Sequence, residues 1–93
     1  MVKVVFFPPI ADRIRKIEHS VARVGRDGNV AGFIEYLRAE PVFAPYFEHI
    51  GQYCPSGKFF ENVIVLVNGS VVDELSQVKD GDSVNILLPL AGG

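Results

Sequence analysis

The chain has 93 residues and a formal net charge of −2, and 48% of its residues are apolar. This length supports one hydrophobic core, so we expect a single domain over residues 1–93, and the apolar content excludes an intrinsically disordered chain. The acidic balance, with no aromatic residues between the arginines of "DRIRKIEHSVARVGR", argues against a nucleic-acid partner.

The start of the chain and its cysteine usage indicate a cytoplasmic protein without a membrane partner. The first apolar run, "VKVVFF", meets two prolines after a few residues and is too short for a signal peptide or a membrane span. Cys54 is the single cysteine, so it cannot form an internal disulfide or supply the thiolates of a structural zinc or iron–sulfur site. His19 and His49 have no third ligand pattern near them, so no metal site is expected.

Hydrophobic periodicity predicts two strands in the first part of the chain. Residues 2–7 alternate as a strand that is buried on one face and largely on the other. Residues 10–24 fit helical spacing at several positions, whereas "HSVARV" within them alternates as a strand does. We favour a loop followed by a strand over about 18–24.

An amphipathic helix is predicted after the "RDGN" turn. Asn29 is a good N-cap, and Pro41 disfavours helical backbone just before it, so the helix should end near Ala39. The aromatic residues of "PVFAPYFEHI" predict a second, short helical turn, where they serve packing rather than ligand binding. Four apolar residues at helical spacing form the buried stripe of the main helix: Val30, Phe33, Ile34 and Leu37.

The second half of the chain is predicted to contain a hairpin, a polar loop and a final strand. Asn68 and Gly69 separate two strand-like runs, and this dipeptide favours the type I′ turn, which needs positive φ at both positions. In the loop "DELSQVKDGD" we expect Leu75 and Val78 to be tucked against the core, and we interpret Asp-Gly-Asp as a turn rather than a cation site. A strand over 83–88 then leads to the last residues.

The order strand, strand, helix, strand, strand, loop, strand predicts an α+β fold of the β-grasp (ubiquitin-like) kind. We expect a mixed sheet of about four to five strands with one main helix packed on one face. The first and last strands should run parallel in the sheet centre, and their apolar character agrees with that position.

Several pieces of the sequence occur in a familiar order: "VKVVFF" at the start, "GKFFENVIVLVNG", "DGDSVNILLP" and the final "AGG". Together they resemble the MoaD and ThiS family of ubiquitin-like sulfur carriers, most closely its MoaD branch, the small subunit of molybdopterin synthase. The resemblance spans most of the chain, and residues 41–56 look like an insertion. The family usually has two prolines before the last four residues, where this chain has Leu88 and Pro89.

The resemblance implies a non-catalytic carrier for molybdopterin (molybdenum cofactor) biosynthesis. In the family, an adenylating (MoeB/ThiF-like) activating enzyme uses ATP to convert the terminal carboxylate to an acyl-adenylate, and sulfur then replaces AMP to give a thiocarboxylate. No cofactor is expected to stay bound to the carrier. On this chain the reactive residue would be Gly93, at the end of a flexible tail: Pro89, Leu90, Ala91 and Gly92.

The resemblance also implies partner proteins. The acceptor would be a molybdopterin synthase large subunit (MoaE-like) or another sulfur-accepting enzyme. By alignment of the first strand, the hairpin and the last strand, Phe7, Val71 and Leu87 occupy places where the family presents apolar side chains to its partners. The alternative for these residues is that they pack beneath the insertion.

The residues leave other functions open. The same tail would serve thiazole biosynthesis, cysteine biosynthesis or the modification of a tRNA base. A ubiquitin-like modifier would instead join Gly93 to a lysine of a target, although ubiquitin-type tails carry arginines beside the glycines and this tail has none. A plain β-grasp interaction module would need no free terminus. Cys54, a lone thiol in a loop with Pro and Gly, is interpreted as having no catalytic role.

Overall fold

The computed structural model describes residues 1–8, 17–22, 28–52, 54 and 59–88 of the chain. None of the helices in these ranges is long and apolar enough to cross a membrane. In chain order the elements are β1 (Val2–Phe6), β2 (Ile17–Val21), α1 (Val30–Ala39), a 3-10 helix (Pro41–Phe43), α2 (Ala44–Gly51), α3 (Phe59–Asn62), β3 (Ile64–Val67), β4 (Ser70–Val71) and β5 (Ser83–Leu87).

The strands form one mixed sheet in the order β2-β1-β5-β3-β4. β1 and β5 run parallel at its centre, with Val4 opposite Val84 and Phe6 opposite Ile86. The other neighbouring strands are antiparallel. The predicted α+β, β-grasp architecture with a parallel central pair is therefore confirmed, and the apolar sequences of β1 and β5 follow from their central position.

Helix α1 covers one face of this sheet. The predicted stripe of α1 is buried and belongs to the same hydrophobic cluster as Val4, Phe6 and Ile86 of the central strands. The side chain of Asn29 accepts a hydrogen bond from the Gly32 amide at 2.8 Å, which confirms the predicted N-cap. The helix ends at Ala39, as the restriction that Pro41 places on the preceding backbone predicts.

Residues 41–51 add a second helical layer to the covered face. Phe43 is buried, and the ring of Phe6 lies 5.7 Å from its ring and 4.6 Å from that of Tyr46, measured between centroids. Phe47 meets the same Phe6 ring edge-on at 6.2 Å. The short helical segment and the packing role of its aromatic residues are therefore as predicted.

Two tight turns meet at one end of the sheet. Asn68 and Gly69 have φ angles of 52° and 86°, as the predicted Asn-Gly hairpin requires, and Gly81 of the Asp-Gly-Asp turn has a φ of 92°. The side-chain amide of Asn68 donates to Asp82 at 3.0 Å, and its Oδ1 accepts from the Ser83 amide at 3.0 Å. The hairpin turn is thus hydrogen-bonded to the turn that precedes β5.

The loop between β4 and β5 differs from the prediction at one residue. Val78 is buried as expected, but Leu75 is 76% exposed, so its predicted burial is wrong. The carbonyls of Glu74 and Ser76 accept hydrogen bonds from the first amides of α1, and the Leu75 amide donates to the side chain of Asp73. These hydrogen bonds hold the loop backbone against the start of α1. The Leu75 side chain is left in solvent as a consequence.

Strand β2 begins at Ile17 and ends at Val21, close to the predicted bounds, although residues 23–24 of that prediction lie outside the described residues. The helical alternative for residues 10–24 does not hold for the described part, because residues 17–21 pair with β1 in antiparallel register. The favoured strand is therefore confirmed for its described part, and the cross-strand pairing with β1 is what excludes the helical pattern there.

Acidification should weaken the turn before β5. A hydrogen bond from the Lys79 amide, a second from the Asn68 side chain and the charge of Lys79 lower the pKa of Asp82. A carboxylate with a lowered folded-state pKa stabilises the fold above its unfolded pKa, and the contribution is lost as pH falls through the folded value. In urea titrations from pH 7 to pH 2.5, we expect the stability advantage of the wild type over Asp82→Asn to shrink below about pH 4. A difference that is constant over this range would contradict the prediction.

Candidate functional site

The face of the sheet opposite α1 carries the side chains that alternate with the core residues. We call it the outer face. Register places Val71 of β4 directly opposite Leu66 of β3, and Ile64 opposite Leu87 of β5. Phe7 follows β1, where its amide donates to the Ile86 carbonyl at 3.0 Å, so alternation puts its side chain beside Leu87.

The three predicted interface residues therefore share one face of the sheet. Val71 is 74% exposed, and Phe7 and Leu87 are half-buried. The described part of the predicted insertion packs on the other face, against Phe6. Phe7, which is next in the chain, projects away from that layer because neighbouring residues of a strand point to opposite faces.

The outer face is apolar at one end and polar at the other. At the end of the sheet where β1 and β5 end and β3 begins, the outer face carries the apolar residues Ile64, Leu87 and Phe7. Lys3 and Ser83 pair at the opposite end. The apolar end is thus the end at which β5 leads into the last residues of the chain.

The predicted reactive tail lies outside the described residues. The last described residue, Leu88, is 6% exposed and belongs to the core cluster, so the point from which the tail starts is held by packing beside Leu87. Four extended residues reach at most about 14 Å from Pro89. The tail residues are Pro89, Leu90, Ala91, Gly92 and Gly93.

The other chemically reactive side chains lie in packed surroundings. Burial raises the pKa of the half-buried Cys54 thiol, so less of it is thiolate at neutral pH. The Nε2 atom of His19 lies 3.0 Å from the Tyr46 hydroxyl, and the His19 ring meets that of Phe43 edge-on at 5.0 Å. Across the ranges that the structure describes, no group of three or more His, Cys, Asp or Glu residues is arranged to hold a metal ion.

Sequence reasoning missed two features of this region. Ile64 and Leu66 extend the apolar part of the outer face, and the alternation of "VIVLV" is the signal that would have placed them there. Arg38 lies over the rings of Phe47 and Phe59 at 5.4 and 5.5 Å, next to an acidic groove. No local pattern predicts that contact, because Phe59 is distant from Arg38 in sequence.

Comparison with solved structures finds the same fold in several proteins. SAMP1 from Haloferax volcanii is 18% identical, with a TM-score of 0.62 over 99% of this chain and 98% of that chain. A chain of the BexX/CysO complex from Amycolatopsis orientalis is 20% identical, with a TM-score of 0.54 over 97% and 99% of the two chains. A chain in the complex of subunits 1 and 2 of molybdopterin-converting factor from Helicobacter pylori is 19% identical, with a TM-score of 0.52 over 99% and 97%.

Among curated protein sequences, no relative matches significantly. The model of the ThiS family, by contrast, matches residues 12–93. That match includes α1, the Asn-Gly hairpin, β5 and the final glycines. The chain belongs to the ThiS family of ubiquitin-like sulfur carriers.

Proposed function

We propose that this chain donates sulfur in molybdopterin biosynthesis from a thiocarboxylate formed on Gly93. The observation that carries the proposal is the apolar end of the outer face, which lies beside the point where β5 leads into the tail. A partner bound to Phe7, Val71 and Leu87 would receive the tail within its reach of about 14 Å. The family match supports the choice of Gly93, since it extends to that residue.

The proposed chemistry takes place in two substitutions, the first at the α-phosphorus of ATP and the second at the carbonyl carbon of Gly93. ATP is attacked by the Gly93 carboxylate, which forms an acyl-adenylate and releases pyrophosphate. A sulfur nucleophile then attacks the carbonyl carbon, and AMP leaves with one oxygen of the former carboxylate. Gly92 and Gly93 suit these steps because a tail without side chains can enter a narrow channel and approach a partner's backbone.

Under this proposal the carrier works with two proteins in the cytoplasm. One is an adenylating (MoeB/ThiF-like) enzyme, which binds the ATP, and the other is a MoaE-like large subunit, which directs the thiocarboxylate at its substrate. Two of the similar structures are themselves complexes with a second protein, and this supports a partner enzyme for the present chain. A partner bound to the outer face would position the tail through contacts that lie away from the reacting atoms.

Intact-mass analysis tests the proposal. After incubation with ATP, a cognate activating enzyme and a sulfur source, the mass of the chain should rise by about 16 Da, because one oxygen is exchanged for sulfur. Adding the large subunit and the sulfur-free pterin precursor should then return the carrier to its original mass as molybdopterin forms. Formation of the thiocarboxylate without its consumption under these conditions would contradict molybdopterin as the product.

Other acceptors are the second candidate. The similarity to the CysO complex favours a cysteine precursor as the acceptor, and a thiazole precursor would use the same tail. The similarity to SAMP1, a small archaeal modifier protein, favours conjugation of Gly93 to a lysine. A conjugate would be detected as a target peptide that carries the terminal glycines of this chain through an isopeptide bond.

A further inference from the structure

A groove of about 1020 Å³ lies between the helices and the β3–β4 edge of the sheet. Helices α1, α2 and α3 contribute to one wall, and the strands with the residues after β4 contribute to the other. Its apolar surface comes from half-buried and buried side chains such as Phe47, Phe60 and Val72. Phe47, which lines the groove, also meets the ring of Phe6 edge-on, so the floor of the groove is continuous with the core.

The rim of the groove is acidic. Carboxylates from both walls line it: Glu35, Glu48, Glu61, Asp73 and Glu74. Arg38 is the one basic residue among its described lining residues, and its guanidinium is already engaged by Glu35 at 3.4 Å and by two aromatic rings at 5.4 and 5.5 Å. Over the described residues, the groove therefore presents an excess of negative charge above an apolar floor.

The acidic rim and the apolar floor together determine the kind of ligand that fits the groove. Nucleic acids and anionic lipid surfaces are repelled by carboxylates, whereas lysine and arginine side chains are attracted to them. The volume lies at the upper end of the range for small-molecule pockets, so a short peptide segment suits it better than a small cation. A segment with basic residues on one side and apolar residues on the other matches both the rim and the floor.

The position of the groove indicates how a partner would reach it. Ile64 and Val71 line the groove and also lie on the outer face. Strand β4 has two residues, so the sheet edge between the two surfaces is short. A protein bound to the outer face can extend a segment around this edge.

We propose that the groove binds a basic amphipathic segment of a partner protein. Its lysines or arginines pair with the rim, and its apolar side chains contact Phe47, Phe60 and Val72. The site is additional to the sulfur-carrier function, because the segment binds whether or not Gly93 carries sulfur.

NMR titration of the full chain with a 12-residue peptide of leucines and lysines at helical spacing tests this proposal. We expect amide shift changes at groove residues such as Glu48 and Val72, and no changes at Lys3 or Ser20. A peptide with glutamate in place of lysine should not bind. Shift changes confined to the outer face, or equal binding of the two peptides, would overturn the proposal.

Charge variants provide the second arm of the test. Glu48 and Glu74 are exposed, so replacing both by Gln should leave the fold intact while weakening binding of the lysine peptide about three- to tenfold. Glu18→Gln, an exposed position on β2, is the matched control and should not change the affinity. Unchanged affinity of the double variant for the lysine peptide would overturn the proposal. So would a dimer of the wild-type chain that forms through the groove and is lost in the double variant, because the occupant would then be a second copy of this chain.

Discussion

Deletion of Gly93 is expected to abolish thiocarboxylate formation. The shortened chain still ends in a glycine carboxylate, but that carboxylate is drawn back by about 3.5 Å, the length of one extended residue. Formation of the acyl-adenylate requires the carboxylate and the α-phosphorus of ATP to lie within about 3–3.5 Å of each other, so the loss of one residue moves the carboxylate out of reach of the ATP that the activating enzyme binds. The readout is the mass increase of about 16 Da in the presence of ATP, activating enzyme and sulfur source.

Two further chains control this result. Addition of one alanine after Gly93 should also prevent the reaction, because the activated carbon would then belong to a residue with a side chain. Replacement of Leu90 by Ala keeps the tail length and should retain more of the reaction than either change in length. We expect all three variants to unfold at the wild-type temperature, because none of them alters a residue of the core cluster that the structure describes. An undiminished thiocarboxylate yield from the deleted or extended chain would refute the role of Gly93.

Leu87→Asp should weaken binding of the partner enzyme by about 2 kcal/mol or more, which is roughly thirtyfold in affinity. Leu87 lies on the outer face opposite Ile64, between the apolar ends of β1 and β3. A carboxylate at the centre of an apolar interface must lose its water on binding without gaining a partner. Titration of the variant with the activating enzyme or the large subunit measures this effect.

Two matched aspartate variants separate binding from folding. Leu88 is 6% exposed in the core cluster, so Leu88→Asp should destabilise the fold by about 4 kcal/mol, whereas Leu87→Asp should cost much less. Leu75 is 76% exposed in the loop after β4, so Leu75→Asp adds the same charge away from the outer face and should leave binding unchanged. Full affinity of a folded Leu87→Asp chain would remove Leu87 from the interface. A collapse of its melting temperature would assign it to the core.

Several elements were predictable because their signals are local. The Asn-Gly dipeptide favours positive φ by the chemistry of those residues alone, and the structure has φ angles of 52° and 86° there. Asn29 and Pro41 set the two ends of α1 through contacts within a few residues of the chain. The order of these elements then led to the β-grasp fold, since few topologies are compatible with it.

Residue spacing alone was wrong at Leu75, and it left a helical alternative open for residues 10–24. Leu75 fits an apolar pattern, yet the amides at the start of α1 bind the carbonyls on either side of it and leave its side chain in solvent. Residues 10–24 fit helical spacing as well as strand alternation, and the favoured strand is confirmed for the described part because β1 offers it a partner. In both cases the deciding hydrogen bonds come from residues far away in the chain.

The fold, the family and the candidate reactive residue could be predicted without a structure, because turn residues, caps, apolar periodicity and the terminal glycines are all readable from neighbouring positions. The full set of apolar side chains that share the outer face, beyond the expected Phe7, Val71 and Leu87, followed from strand pairing. Strand register brings Leu66 and Ile64 onto the outer face with Val71 and Leu87. The contact of the Arg38 guanidinium with the Phe59 ring, beside an acidic groove, likewise joins residues that are far apart in the chain. A surface is made by residues that are distant in the chain, so its composition depends on pairing and packing rather than on local sequence.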